Sequence, residues 1–298
     1  MRLFENIQTF FEKVFFRVRF PLGISVDITN RCNLRCKHCY FLRQEQKNEL
    51  SDDQLLAKIH ELRRRHPHLL HAGWVGGEPL LRIPLLAECV RLFPMNMIVT
   101  NGTIALPVLP KSVFNVSVDG TRAIYEAIRG ARVYDTVKDH ANRNDVRVNI
   151  ACVINRMNRE CIEALVEEWR KTKIRGISFS FYTPAWKEDN GLNLSGAERD
   201  AVIDRLLVLK KDHGDFIINS RSVLVLMKSA SSSAITTRCL AQKVFLSVDA
   251  TGTPKLPCVL GPQADCARCG CVVPFEIESV INRRHFDSLR TVKKFYAG

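Results

Sequence analysis

Six short apolar runs rich in β-branched and aromatic residues punctuate the chain. They are GISVDIT (23–29), AGWVGG (72–77), MNMIVT (95–100), VFNVSV (113–118), VRVNIACVI (146–154) and GISFSF (176–181). Helix-like segments at 51–66, 81–93, 132–143, 158–172 and 195–213 lie between or after most of them. This alternation constrains the fold more than any other feature. Strands alternating with helices of this length read as repeated βα units and a parallel sheet. A closed barrel of eight units would need two more than the six counted here. The expected fold class is therefore α/β, an open or partial (β/α)6 barrel. Ser51 with Gln54 forms a capping box at the start of the first helix.

The chain has 298 residues, 46% hydrophobic and 25% charged, enough for a large buried core. No apolar run reaches the length of a membrane-spanning helix, and no signal-peptide pattern is present. Eleven cysteines without an export signal argue for metal binding or catalysis in a reducing, cytoplasmic setting rather than a disulfide scaffold. A formal charge of +13 points to an anionic partner without choosing among lipid, nucleic acid and phosphorylated substrate.

The unusual residues fall at the carboxyl ends of the strands, where parallel barrels build active sites. A cysteine loop follows the first strand, and the second ends in Gly76-Gly77-Glu78-Pro79. Thr100-Asn101-Gly102, Ser117-Val118-Asp119-Gly120, Asn155 and Tyr182-Thr183-Pro184 mark the next four. Each tip alone reads as an ordinary turn. Together with a metal motif they read as one site.

That motif is CNLRCKHCY, which sets Cys32, Cys36 and Cys39 at C-x3-C-x2-C spacing with no fourth cysteine before Cys89. By chance such spacing is expected roughly 0.015 times in a chain of this cysteine content, so the set has a joint purpose. Zinc is the rival metal and would recruit His38 as fourth ligand, but a residue inside a C-x2-C loop usually points away from the shared metal.

The stretch resembles the signature of the radical S-adenosylmethionine (SAM) enzymes. The resemblance covers about residues 22–185. It implies that Cys32, Cys36 and Cys39 hold a [4Fe-4S] cluster whose fourth iron is left open for SAM, which answers the missing ligand. It implies reductive cleavage of SAM to a 5′-deoxyadenosyl radical, with electrons from a donor such as flavodoxin or ferredoxin. Gly76, Gly77, Glu78 and Pro79 match the family's GGEP element, whose backbone receives the SAM amino group. A side chain at Gly77 is then expected to block SAM and leave cluster assembly intact. Tyr40 matches the aromatic whose backbone meets the adenine. Ser117 and Asp119 match the fourth-strand tip near the ribose and methionine carboxylate, and Asn101 and Asn155 complete the cofactor-binding candidates. The adenine motif that some members carry on the fifth strand is not readable here.

After residue 220 the character changes. SASSSAITT (229–237) reads as a linker, and KVFLSVDATGTPKL (243–256) as a β-hairpin turning at Thr251-Gly252. Around it lie Cys239, Cys258, Cys266, Cys269 and Cys271. A cysteine-flanked hairpin resembles the twitch extension, a shortened SPASM domain, of some radical SAM enzymes. The resemblance implies an auxiliary [4Fe-4S] cluster on Cys239, Cys258, Cys266 and Cys269, with Cys271 able to replace one of them. A structural zinc ribbon is the alternative. Cys89, Cys152 and Cys161 read as small buried hydrophobes.

Leu3, Phe4, Ile7, Phe10, Phe11, Val14, Phe15 and Val18 follow helical spacing opposite a charged face. This amphipathic helix is either a cap or dimer contact, or an interfacial membrane helix or channel wall. Expected boundaries are 1–21 for the helix, 22–225 for the partial barrel and 226–298 for the extension. The leading reading is a radical SAM enzyme modifying a small, apolar or lipid-like metabolite, cytoplasmic with peripheral membrane contact through residues 1–20. Its layout is loosely similar to that of the hopanoid adenosyltransferases. The alternative is a maturase of a ribosomally made peptide, and the remaining one a non-catalytic iron-sulfur or zinc protein. Basic runs such as Arg63-Arg64-Arg65 lack interleaved aromatics, so nucleic acid is not expected as a partner.

Overall fold

The computed structural model describes residues 20–45, 48–188 and 190–296. The expected N-terminal helix thus lies, except for its last two positions, outside the described residues. Seven parallel strands form one sheet: β1 Gly23–Thr29, β2 His71–Gly76, β3 Met95–Thr100, β4 Ser112–Ser117, β5 Val148–Ile154, β6 Ile177–Phe181 and β7 Phe245–Val248. Their order is β6-β5-β4-β3-β2-β1-β7, so strands adjacent in sequence are adjacent in space until the last, which joins the far edge beside β1. This is the open partial barrel expected, with one strand more than the pattern showed.

Side-chain alternation divides the sheet. Ile24, Val26, Ile28, Trp74, Ile98, Phe114, Val116, Ile150, Ile154 and Phe179 are buried in the main core with Leu55, Ile59, Leu165 and Trp169 of the helices. The opposite face carries Ser25, Met97, Val99, Ser117, Ala151, Val153, Ser178 and Ser180, all half-buried. Strand register aligns Ser25 with Gly73, Gly73 with Met97, Ser117 with Ala151, and Ala151 with Ser178. Small residues on this face leave room where the layered branched side chains of a closed barrel would fill it.

The helices over the core are α1 Asp52–Arg65, α2 Ile83–Cys89, α3 Arg122–Arg129, α4 Tyr134–Ala141, α5 Ile162–Trp169 and α6 Gly196–His213. The Ser51–Gln54 capping box forms, and Ser195–Glu198 makes a second one at α6. The segment expected as one helix over 81–93 is a short α-helix flanked by single 3-10 turns, with prolines at both N-terminal junctions. Helix α3 escaped the sequence pattern. It ends at Gly130, whose φ of 73° is the left-handed cap that glycine adopts without strain.

The tail departs from expectation in two places. The stretch expected as a linker follows a short helix α7 (Arg221–Leu226) and is itself a helix, α8 (Ser229–Thr237). Asp200 of α6 accepts the Ser229 amide at 2.7 Å and its hydroxyl at 2.5 Å, satisfying the first turn and overriding serine's weak helix propensity. The expected hairpin keeps its turn, with the Lys255 amide donating to the Ser247 carbonyl at 2.7 Å. Its first arm, however, is β7, drawn into the parallel sheet through Gly23–Phe245 to Val26–Val248 pairing. From there the chain crosses to the opposite edge. Gly270 accepts the Phe181 amide at 2.8 Å, and Ala264 bridges Ala185. The cysteine-rich tail therefore spans the gap between β7 and β6. Cys89 and Cys152 are buried in the core, as expected, whereas Cys161 is only half-buried and donates its thiol to the Asn158 carbonyl at 3.2 Å.

Candidate functional site

The cysteine loop begins where β1 ends. Glu49 anchors its first residues, accepting from the Thr29 hydroxyl and the Asn30 amide, both at 2.7 Å. From below, the GGEP element clamps it. The Gly77 amide donates to the Thr29 carbonyl and the Glu78 amide to the Arg31 carbonyl, both at 2.8 Å. A Cβ on Gly77 would lie 2.0 Å from that Arg31 oxygen, so the glycine is required by the loop itself. With both amides spent, this element offers a ligand carbonyl oxygens, the complement of an ammonium group.

Glu78 is almost fully buried. Its carboxylate accepts from the Thr100 hydroxyl and the Asn101 amide at 2.7 Å, and from the Leu80 amide at 3.0 Å. Burial pushes its pKa up, opposed by these donors. Glu78 thus ties the tip of β2 to the tip of β3. Asn101 extends the tie to the loop, donating to Asn33 Oδ1 at 2.8 Å with Cys32 Sγ at 3.9 Å.

The fourth tip holds the other side. Asp119 is fully buried and pairs with Arg129 at 2.5 Å and with His38 at 3.3 Å, while accepting the Val153 amide at 2.9 Å. Arg129 also reaches Cys36 Sγ at 3.7 Å. Burial lowers His38 to about 4, so the ring is neutral at physiological pH and lies against Asp119. Burial raises the Cys36 thiol, with Arg129 opposing. Arg129 and Glu49 were not found from sequence. The only signal for Arg129 was its place before Gly130 at the end of an unrecognised helix.

Ser117 lies half-buried at the end of β4, on the open face of the sheet. Asn155 is fully buried and committed to its own turn, its Oδ1 accepting the Met157 amide at 2.8 Å. Tyr40 precedes the 3-10 turn Phe41–Arg43. Burial holds its phenol well above the usual range, reinforced by Asp27, Cys39, Cys258 and Cys271. It therefore lies near both Cys39 of the loop and Cys258 and Cys271 of the tail.

The tail thiols are gathered from 33 residues of chain. Cys258 is within electrostatic reach of Cys239 and Cys266, Cys269 of Cys258 and Cys239, and Cys271 of Cys269 and Cys258. Among the described residues no three such side chains are drawn onto a single metal-sized point. The case for metal rests on donor chemistry: two thiol sets, with Arg129 reaching Cys36 in one and Arg199 the Cys269 carbonyl in the other, suit thiophilic iron or zinc.

The Arg129–Asp119 pair yields a direct prediction. Arg129→Met leaves a buried carboxylate without its cation and is expected to cost about 3–5 kcal/mol. Urea unfolding monitored by circular dichroism measures it. Adding Asp119→Asn should recover much of the loss, because the orphaned charge is then gone. Equal midpoints for Arg129→Met and the parent chain would show that the pair does not hold the loop.

Residues 26–169 match the profile of the Radical SAM superfamily. Fe-coproporphyrin III synthase of Methanosarcina barkeri is 30% identical over 200 residues, 61% of this chain and 49% of that protein. The chain spans at most about half the length of the curated relatives it matches. Among solved structures, native anSMEcpe with bound AdoMet superposes with a TM-score of 0.67 at 18% identity, covering 90% of this chain and 82% of that one. Streptococcus suis SuiB bound to precursor peptide SuiA gives 0.62 at 16% identity, covering 90% and 67%. At these identities the structural matches establish the fold.

Proposed function

The chain belongs to the radical SAM superfamily, and from that premise we propose that it reductively cleaves SAM to modify a small-molecule metabolite. The observation that carries the site assignment is the convergence of the cysteine loop, the GGEP element and the tips of β3 and β4 at one end of the sheet. Cys32, Cys36 and Cys39 would hold the [4Fe-4S] cluster. When bound, cluster and SAM supply a 5′-deoxyadenosyl radical able to remove hydrogen from an unactivated carbon.

The protein's own residues position and shield. Carbonyls of Gly76 and Gly77 are assigned to the SAM ammonium, with Glu78 and Pro79 fixing that turn. Ser117 is assigned to ribose or carboxylate, and the Tyr40 backbone to adenine. Asp119, Asn101 and Asn155 act by holding the strand tips rather than by offering free polar groups. Cys239, Cys258, Cys266 and Cys269, with Cys271 as a spare, are assigned to an auxiliary cluster of the twitch type, in the extension 226–298. A low-potential donor such as flavodoxin or ferredoxin supplies electrons.

The substrate class rests on a cavity of about 350 Å3 beside the cysteine loop, where Phe41, Leu256 and Pro262 line the wall together with a larger number of polar groups, among them Asp27, Gln44 and Lys255. A concave site of this size that joins apolar walls to several polar and charged groups suits a small molecule carrying both kinds of surface. A relative named for a porphyrin product supports the same class. The peptide-maturase reading is second, favoured by the shared fold with SuiB. Membrane contact through residues 1–20 belongs to the lipid-like variant of the first reading. Among the described residues no helix is long and apolar enough to cross a membrane.

Anaerobic reconstitution with iron, sulfide and dithionite should yield 5′-deoxyadenosine and methionine from SAM, detected by mass spectrometry. Small-molecule extracts, not peptide fractions, should accelerate it. A reconstituted cluster that leaves SAM intact would overturn the proposal. Acceleration by peptide alone would move the substrate to the second reading.

A further inference from the structure

Arg199, in the first turn of α6, carries a largely buried guanidinium that forms no ion pair among the described residues; the neighbouring Asp200 opposes its burial only in part and spends its carboxylate on Ser229. Its guanidinium lies 4.8 Å from the centre of the Phe181 ring and 5.6 Å from that of Phe275. One nitrogen donates to the Cys269 carbonyl at 3.2 Å, while the buried Nε and Nη2 have no hydrogen-bond partner among the described residues. The side chain borders a cavity of about 230 Å3 shared with Ser232, Ser233, Ala267 and Arg268. Burial draws its pKa down to about 10, which leaves it charged at neutral pH.

The contrast with the other arginine is informative. Arg129 beside Cys36 is already balanced by Asp119. Arg268 has Asp265 at 2.7 Å. Arg199 has no such ion-pair partner among the described residues; the first group that offsets its burial is Cys269 of the tail thiol site, ahead of Asp200. A buried, poorly partnered guanidinium is costly, and the cost is relieved by an anion across a low-dielectric gap. Four thiolates outweigh the positive charge of an iron-sulfur core, so a loaded tail site is such an anion.

We propose that Arg199 is the counter-charge of the tail cysteine site and holds the reduction potential of the cluster there at a higher value than four thiolates alone would set. This rests on the auxiliary-cluster reading given above. Reduction adds negative charge, so a fixed cation favours the reduced form. The phenyl faces of Phe181 and Phe275 keep the guanidinium in place without neutralising it.

The test uses the full chain with Cys32, Cys36 and Cys39 replaced by alanine, so that only a tail cluster remains. Iron and sulfide content and EPR-monitored redox titration are the readouts. Arg199→Met should lower the equilibrium constant for reduction about tenfold, a shift of about 59 mV to more negative potential for a one-electron couple. Arg199→Lys should keep most of the parent value. Ser232→Asp, which sets a carboxylate in the same cavity, should shift the potential in the direction of Arg199→Met and decides the matter if that variant does not fold. A tail cluster whose potential is unchanged in these variants overturns the role of Arg199 alone. A parent that binds no iron and sulfide overturns the auxiliary cluster, and this role with it.

Discussion

Replacing Cys32, Cys36 and Cys39 together with alanine is expected to abolish reductive SAM cleavage and to remove about half of the iron, leaving the remainder in the tail. The two halves of this result have different physical grounds. Loss of cleavage follows because the loop thiols are the ones tied to the GGEP element, through Glu78, Asn101 and Cys32. Survival of the second site follows because Cys258, Cys269 and Cys271 are held by other parts of the fold. Cys258 lies just beyond the hairpin turn, and Gly270, between Cys269 and Cys271, is bonded to the edge of β6. Iron and sulfide analysis with product detection reads both outcomes. Complete loss of iron would mean that the tail does not load independently. Zinc retained in place of iron would turn the tail into a structural ribbon. Persistent SAM cleavage would sink the assignment of the loop.

Gly77→Val should be nearly as severe, and for a reason different from that expected at the sequence level. The sequence pointed to a side chain obstructing SAM while the cluster assembled normally. In the folded chain the added Cβ would sit 2.0 Å from the Arg31 oxygen and 2.5 Å from its carbonyl carbon. Both are main-chain atoms one residue before Cys32, and neither can swing aside. Relief requires moving the loop, which breaks the 2.8 Å bond from the Glu78 amide and loosens the Glu78 tie to β3. Cluster absorbance and SAM affinity are therefore expected to fall together, with cleavage reduced at least 100-fold by misplacement. Gly73→Ala on the same strand is the control, since its nearest atom would be 3.7 Å away. It should keep the cluster. Normal cluster content in Gly77→Val with weakened SAM binding would restore the simpler obstruction argument.

Much of the architecture was legible because it is written in local periodicity. Six apolar runs at helix-length spacing can bury their outer faces only under the helices that separate them, and they did so in sequential order. The cysteine loop and the glycine-rich tips were legible because a parallel sheet brings every carboxyl end to the same side. The seventh strand was not. FLSV is only four residues long and is followed by a strong turn signal, which made its local hairpin look sufficient. What recruits it is the free edge of β1, which no local pattern displays. The helix Ser229–Thr237 was hidden for a similar reason, since its first turn depends on Asp200, 29 residues upstream.

Sequence by itself determined the parallel α/β fold, the three-cysteine loop and the glycines beside it, because each depends on the identity and spacing of residues close along the chain. Tertiary structure alone decided how the polar residues at the tips are used. Glu78 and Asp119, read in sequence as ligand contacts, have their carboxylates engaged by Thr100, Asn101, Arg129 and His38. A buried carboxylate must find donors or a cation wherever the fold brings them, and these partners come from other strands and helices. The same constraint leaves Arg199 charged beside Cys269, 70 residues away in sequence, a juxtaposition that exists only once the tail has crossed from β7 to β6.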